Sequence, residues 1–150
     1  CKEVRAVSHS MMPNALLKRG LAAAIRDFLE KIDSQVIKVQ LHIEGLSERL
    51  ESSTESMLYR IVQECVNNVI KHSGASQLDI SLVKEAEGVS LNIEDNGKGF
   101  DAKSDKWTAG IGLQNISSRV QFLKGQMDID SSPGRGTLIA IHIPPANLNI

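Results

Sequence analysis

Apolar residues along this chain fall into two periods, and the switches between them mark out the elements. Leu17, Leu21, Ala24, Ile25, Phe28, Leu29 and Ile32 recur at helical spacing, so Ala15 to Ile32 reads as a helix with Gly20 as its possible break. Val36 to Glu44 switches to alternation through Val39, Leu41 and Ile43, the period of a half-buried strand. Ser52 to His72 returns to the helical period through Leu58, Ile61, Val62, Cys65, Val66 and Val69, with Thr54 as a plausible cap. Gln77 to Lys84 and Gly88 to Glu94 read as paired strands about a turn near Glu87-Gly88. Gln114 to Lys124 reads as a helix. Gln126 to Asp130 and Gly136 to Ile143 read as a last hairpin, turning through Ser132-Pro133-Gly134-Arg135-Gly136. The opening residues, to Met11, read as the end of a helix that Pro13 stops. Strands in adjacent pairs with packed helices predict an α+β fold, a two-layer sandwich rather than a doubly wound parallel sheet.

One strand carries its alternation too far. Val89, Leu91 and Ile93 share a face, and continuing the register puts Asp95 on that face as well. A carboxylate aimed where the core should be is costly unless something pairs with it. Gly97 and Gly99 follow, residues that tolerate close approach and left-handed backbone. A second glycine pair, Gly110-Ile111-Gly112-Leu113, opens a helical segment whose N-terminus offers free N–H groups and a positive dipole to an anion. A buried acid beside a glycine-rich phosphate cradle points to a nucleotide site. Between the two glycine stretches, Lys98 to Ala109 holds Asp101, Lys103, Asp105, Lys106 and Trp107, mixed charge with few apolar anchors. Such a segment predicts a mobile lid ordered by its ligand.

The helix from Ser52 carries a second set of polar groups. Glu64, Asn68 and Lys71 fall in one narrow stripe beside its apolar face, and Glu64 and Asn68 are one turn apart. An amide oxygen suits a hard cation such as Mg²⁺, and a carboxylate one turn away can receive a proton. Lys71 on the same side can neutralise phosphate charge. An ordinary solvated helix face is the competing reading of these three residues taken alone.

Composition mostly excludes. Lys and Arg number 17 against 18 Asp and Glu, a net charge of -1, so nothing argues for a large electrostatic footprint on nucleic acid. Aromatic residues make up 3% of the chain, too few for a base-stacking platform. Cys1 and Cys65 lack metal-ligand spacing, and Cys65 on the apolar helix face predicts a reduced, buried thiol. No apolar run approaches a membrane span, and no signal-peptide pattern begins the chain. The first residue is Cys rather than Met, which suggests a piece of a longer protein.

The order of motifs narrows the reading. Glu64-x-x-x-Asn68-x-x-Lys71, Asp95-x-Gly97-x-Gly99, Gly110-x-Gly112-Leu113 and Gly136-Thr137 together resemble the ATP-binding catalytic domain of two-component sensor histidine kinases. That domain belongs to the wider ATPase group of gyrase, heat-shock protein 90 and the mismatch-repair ATPases. Leu58 to Ser73 is similar to the family's N box, Asp95 to Phe100 to its first glycine box, and Gly110 to Leu113 to its second. The match runs from about Leu41 to Pro144. No separate phenylalanine-rich box intervenes, and the second glycine box runs on into Gln114-Asn115-Ile116-Ser117-Ser118-Arg119-Val120. Both features resemble the nitrate-sensing and membrane-fluidity-sensing subfamily, whose partners are helix-turn-helix response regulators. Residues 1–13 resemble the tail of its dimerisation helices, leaving 14–150 as the catalytic domain.

The resemblance implies the Bergerat ATP-binding fold, a mixed, mostly antiparallel sheet packed on helices, with ATP and Mg²⁺ as cofactors. It implies transfer of the γ-phosphoryl to a histidine of an upstream dimerisation domain, then relay to a response regulator receiver domain. Asp95 is implied to accept the adenine amine, with Thr137 touching the base, and Gly97 and Gly99 letting the backbone pass close to it. Gly110, Ile111, Gly112 and Leu113 are implied to present backbone N–H groups to the phosphates. Asn68 is the implied Mg²⁺ ligand, Lys71 and His72 the phosphate contacts, and Glu64 the group that orients or deprotonates the acceptor imidazole. His9 is followed by Ser10 and lies at the wrong end of a helical hairpin, so the acceptor is expected outside this chain. His42 and His142 are expected to be exposed. The parent is implied to be a homodimer with this domain in the cytoplasm, and whether it is anchored in the bacterial inner membrane stays open. The alternatives on the same fold are an anti-sigma-factor type serine kinase and a non-catalytic nucleotide sensor. An upstream His followed by Asp or Glu on a long helix separates the first of these.

Overall fold

Every alternating segment of the sequence becomes a strand of one sheet in a computed structural model that describes residues 13–101 and 113–145. The expectations for the opening helix, for Gly110-Ile111-Gly112, and for most of the lid including Trp107 lie outside those residues. The strands are β1 (Lys38–Glu44), β2 (Gln77–Glu85), β3 (Gly88–Asp95), β4 (Gln126–Ser131) and β5 (Thr137–Ile143). They lie in the order β1-β2-β3-β5-β4, with β1 parallel to β2 and every other neighbouring pair antiparallel. The helices are α1 (Asn14–Arg19), α2 (Leu21–Glu30), α3 (Ser52–Asn68) and α4 (Leu113–Phe122). Gly20 separates α1 from α2, as its place in the pattern predicts.

The sheet is apolar on one face only. Ile80, Ile93, Ile139 and Ile129 form one cross-strand row, and Leu82, Leu91, Ile141 and Met127 the next. Leu58, Ile61, Val62, Cys65 and Val66 of α3, with Ile116 and Val120 of α4 and Ile25 of α2, are buried in the same core. Alternation thus puts one apolar face per strand under one apolar stripe per helix, the two-layer sandwich expected from the pattern. The third row is different. It runs Leu78, Asp95, Thr137, Ser131, so the core-facing positions turn polar at this end of the sheet.

Three local expectations are corrected. Thr54 does not cap α3; the helix starts two residues earlier, and Thr54 is 1% exposed inside its first turn. The start is organised by Glu55 instead, whose buried carboxylate accepts from Leu50 N at 3.3 Å and from Arg49 Nη2 at 2.7 Å. An acid in the first turn also suits the helix dipole. Second, the helix does not run to His72 as an α-helix. It ends at Asn68 and widens into a π turn, Val69–Ser73, which Gly74 terminates with left-handed backbone. Ser73 stabilises that turn by donating its hydroxyl to the Val69 carbonyl at 2.6 Å. Third, His42 is exposed as expected but His142 is half-buried, because β5 is an interior strand flanked by β3 and β4.

Arg49 joins two of the helices. Besides Glu55, its Nη2 donates to the Leu16 carbonyl at 3.0 Å, so one guanidinium satisfies both the last turn of α1 and the first turn of α3. Truncating one partner of such a pair leaves a buried carboxylate uncompensated, which costs more than removing both. Arg49→Leu is therefore expected to lower the melting temperature more than the double variant Arg49→Leu with Glu55→Leu, as read by thermal denaturation of the two proteins side by side.

Candidate functional site

The polar row at the end of the sheet forms the floor. Asp95 and Thr137 are directly opposite on β3 and β5, and Thr137 faces Ser131 on β4. The Ser131 and Thr137 hydroxyls are 2.8 Å apart, and Ser131 Oγ accepts from the Phe100 N–H at 2.9 Å. Asp95 is 7% exposed, and Oδ1 accepts from the Gly97 N–H at 2.8 Å. Burial holds its carboxyl above the ordinary aspartate range; the Gly97 N–H pulls it down and the neighbouring Glu94 pushes it up. Among the described residues no cation pairs with Asp95. The acid that the alternation placed on the core face is there, and its second oxygen has capacity for a ligand donor.

The first glycine stretch closes one side of this floor. The Lys98 N–H donates to the Ser73 carbonyl at 2.8 Å, and the Gly134 N–H to the Lys98 carbonyl at 2.5 Å. A Cβ on Gly97 would lie 2.5 Å from the Ser73 oxygen, and one on Gly99 would overlap the Ser132 carbonyl. Gly99 also has φ +66°, a conformation L side chains rarely adopt. Glycine is required at both positions by close approach to the protein's own backbone. The Asn96 side chain completes the clamp, accepting from Ser76 N at 2.9 Å and Gln77 N at 3.0 Å.

The adjoining wall is the end of α3. Glu64 and Asn68 are half-buried one turn apart, whereas Lys71 and His72 stand exposed on the π turn. Both follow Asn68 on the wider winding of that turn. Glu64 accepts from Nη1 of Arg119 on α4. Nδ2 of Asn68 is buried with no hydrogen-bond partner. Turning the amide over exchanges its oxygen and nitrogen in the same space. A half-buried amide with unspent capacity, one turn from a carboxylate, fits a magnesium ion that keeps most of its waters. Cys65, behind Glu64, has its thiol pushed up to about 12 by burial and then by the Glu64 charge. It is a neutral packing group, as its helix face predicts.

The structure therefore brings together Asp95, Thr137, Gly97 and Gly99 at the floor and Glu64, Asn68, Lys71 and His72 on the adjoining wall. Leu113 is the first residue of α4 and is buried. Gly110, Ile111 and Gly112 precede it, outside the described residues. Ser131, Asn96, Ser73 and Arg119 escaped the sequence reading. Ser131 was legible in principle, because it faces Thr137 across the last hairpin; Asn96 and Ser73 adjoin Asp95 and His72 in the chain, and only Arg119 comes from an element distant in sequence.

Residues 53–147 match the model of a family described as histidine kinase-, DNA gyrase B-, and HSP90-like ATPases. The chain belongs to this ATPase family. Sensor histidine kinase MctS of Rhizobium johnstonii is 33% identical over 149 residues, covering 97% of this chain and 32% of that protein. The histidine-protein kinase/phosphatase DegS of Bacillus subtilis is 37% identical over 138 residues, covering 88% of this chain and 36% of its own. The chain thus spans about a third of the length of these curated relatives. The ATP-binding domain of PrrB from Mycobacterium tuberculosis superposes with a TM-score of 0.61 at 23% identity, covering 79% of this chain and 86% of that one, a likeness of fold.

The raised Asp95 pKa has a measurable consequence. The folded state holds that proton more tightly than the unfolded chain, so the ionised form destabilises the fold above the raised pKa, and the penalty is absent below the unfolded value. Asp95→Asn is expected to raise the melting temperature of the nucleotide-free domain at neutral pH, with the gain shrinking as pH falls through the acid range. A constant difference at every pH would show that Asp95 is not desolvated.

Proposed function

We propose that this chain is the Mg·ATP-binding catalytic domain of a sensor histidine kinase, transferring the γ-phosphoryl to a histidine on an upstream dimerisation domain. The phosphate then passes to an aspartate of a response regulator. The observation that carries the reading is the cross-strand pair Asp95–Thr137, a desolvated carboxylate and a hydroxyl where the core rows end, beside the polar end of α3. Residues 1–13 are the tail of the dimerisation helices, and 14–150 the catalytic domain. The parent is a homodimer, whether or not it is anchored in the inner membrane. Among the described residues no helix is long and apolar enough to cross a membrane.

In this mechanism Asp95 accepts the exocyclic amine of adenine, and Thr137, held by Ser131, lies against the base. Selectivity follows from chemistry: guanine presents a carbonyl oxygen where adenine presents an amine, and a carboxylate cannot donate to it. Gly97 and Gly99 keep the loop pressed on the protein backbone, leaving its outer edge to the base. Lys71 and His72 lie on the exposed π turn where phosphates extend from a base seated on Asp95. Gly110, Ile111, Gly112 and Leu113 present N–H groups to those phosphates. Magnesium, when bound, neutralises charge developing across the phosphates. Asn68 would hold it through the amide oxygen. Glu64 orients the acceptor imidazole and takes its proton, a smaller contribution than positioning in phosphoryl transfer.

Calorimetric titration with ATP and with GTP is expected to show GTP weaker by at least about tenfold, since a site built around one hydrogen bond leaves its own group unpaired with the wrong base. Asp95→Asn should weaken ATP by roughly 10- to 100-fold, the worth of a charge-assisted bond. Unchanged ATP affinity in this variant would falsify the adenine assignment. Asn68→Ala is expected to abolish the gain in ATP affinity that Mg²⁺ provides while leaving metal-free binding near its original value.

A further inference from the structure

The Glu64 carboxylate is held by Arg119 of α4. Arg119 lies near the end of α4, between Ile116 and Val120, both of which are buried against the core. That packing fixes the helix, and the Arg119 side chain leaves it at the margin of the core. Its Nη1 donates to Oε1 of Glu64, and among the described residues Glu64 has no other hydrogen-bond partner. The two side chains are 25% and 27% exposed, so the pair is shielded more than one at an open surface. The contact is single-pronged, which leaves Oε2 available to a second group.

A glutamate on a helix has three rotatable bonds and does not keep its carboxylate in one place without a partner. One turn along α3 lies another claimant. Asn68 carries the buried Nδ2 with no partner, and side chains four apart on a helix are neighbours that pair readily. The observed structure does not use that local bond; the carboxylate is drawn to α4 instead.

We propose that Arg119 is a positioning residue for phosphoryl transfer, holding Glu64 off Asn68 with one oxygen free toward the acceptor imidazole. This rests on the reading of Glu64 as the group that meets the acceptor. Arg119 itself touches neither nucleotide nor imidazole and acts through Glu64 alone. The pair also ties α4, which follows the second glycine stretch in the chain, to the helix bearing the N box.

The test is a double-mutant cycle in the full-length kinase, following autophosphorylation at saturating Mg·ATP and metal-free ATP affinity by calorimetry. Arg119→Gln is expected to lower the transfer rate about 10- to 100-fold, the cost of a misplaced reacting group, with metal-free ATP affinity unchanged. Arg119→Lys should recover part of the rate, because it keeps the charge but not the guanidinium geometry. In a Glu64→Ala background, Arg119→Gln should cost nothing further. If Arg119→Gln slows transfer equally with and without Glu64, or weakens metal-free ATP binding alongside, the proposal is overturned and Arg119 is a packing residue. If Glu64→Ala alone leaves transfer unchanged, the role of Glu64 is wrong and the proposal falls with it.

Discussion

A carboxylate kept at the end of the core, with no cation beside it among the described residues, is the constraint on which the site depends. Asp95 continues the same face of β3 that buries Val89, Leu91 and Ile93, so pairing β3 with β5 in register also seats the acid opposite Thr137. A one-residue slip in that register would turn every one of these side chains to the other face. The hydrophobic rows that stabilise the sheet therefore also aim the acid, and the apolar pattern polices the position of a polar group. The acid itself is destabilising, as the direction of its pKa shift states. Burial of a charge without a counter-ion persists where something other than stability requires it.

The rest of the site is arranged so that the groups around Asp95 are already satisfied while those a ligand needs are not. Ser131 ties up the Thr137 hydroxyl and the Phe100 N–H; Asn96 ties up the Ser76 and Gln77 N–H groups; Ser73 closes the π turn. Left over, among the described residues, are the second oxygen of Asp95, the Asn68 Nδ2 and one oxygen of Glu64. Rigid surroundings with a few unspent polar groups are what a preformed nucleotide site needs, because binding then costs little ordering. The π turn contributes by ending a long helix early, bringing the Ser73 carbonyl to the glycine loop and presenting Lys71 and His72 to solvent.

Much of this was legible in the chain. Two hydrophobic periods located every described element to within a few residues, and alternation alone placed Asp95 on the buried face. The misreadings share a cause. Thr54 has the chemistry of a cap, but Glu55 had a stronger partner in Arg49, six residues back across a loop. The widening of the helix after Asn68 has no periodic signature over five residues, because one π turn alters the phase too little to see. His142 alternates as an exposed residue would, and its partial burial comes from strands on both sides of β5.

The sequence by itself determined which face of each element is apolar, and hence the two layers, the core and the buried position of Asp95. These follow from local periodicity, since a side chain's direction on a helix or strand is set by its index along the chain. Tertiary structure alone decided which distant groups meet: Asp95 with Thr137 and Ser131, Gly97 with Ser73, Glu64 with Arg119. Those meetings depend on strand order and helix packing, which fix distances between residues whose separation along the chain carries no geometric information.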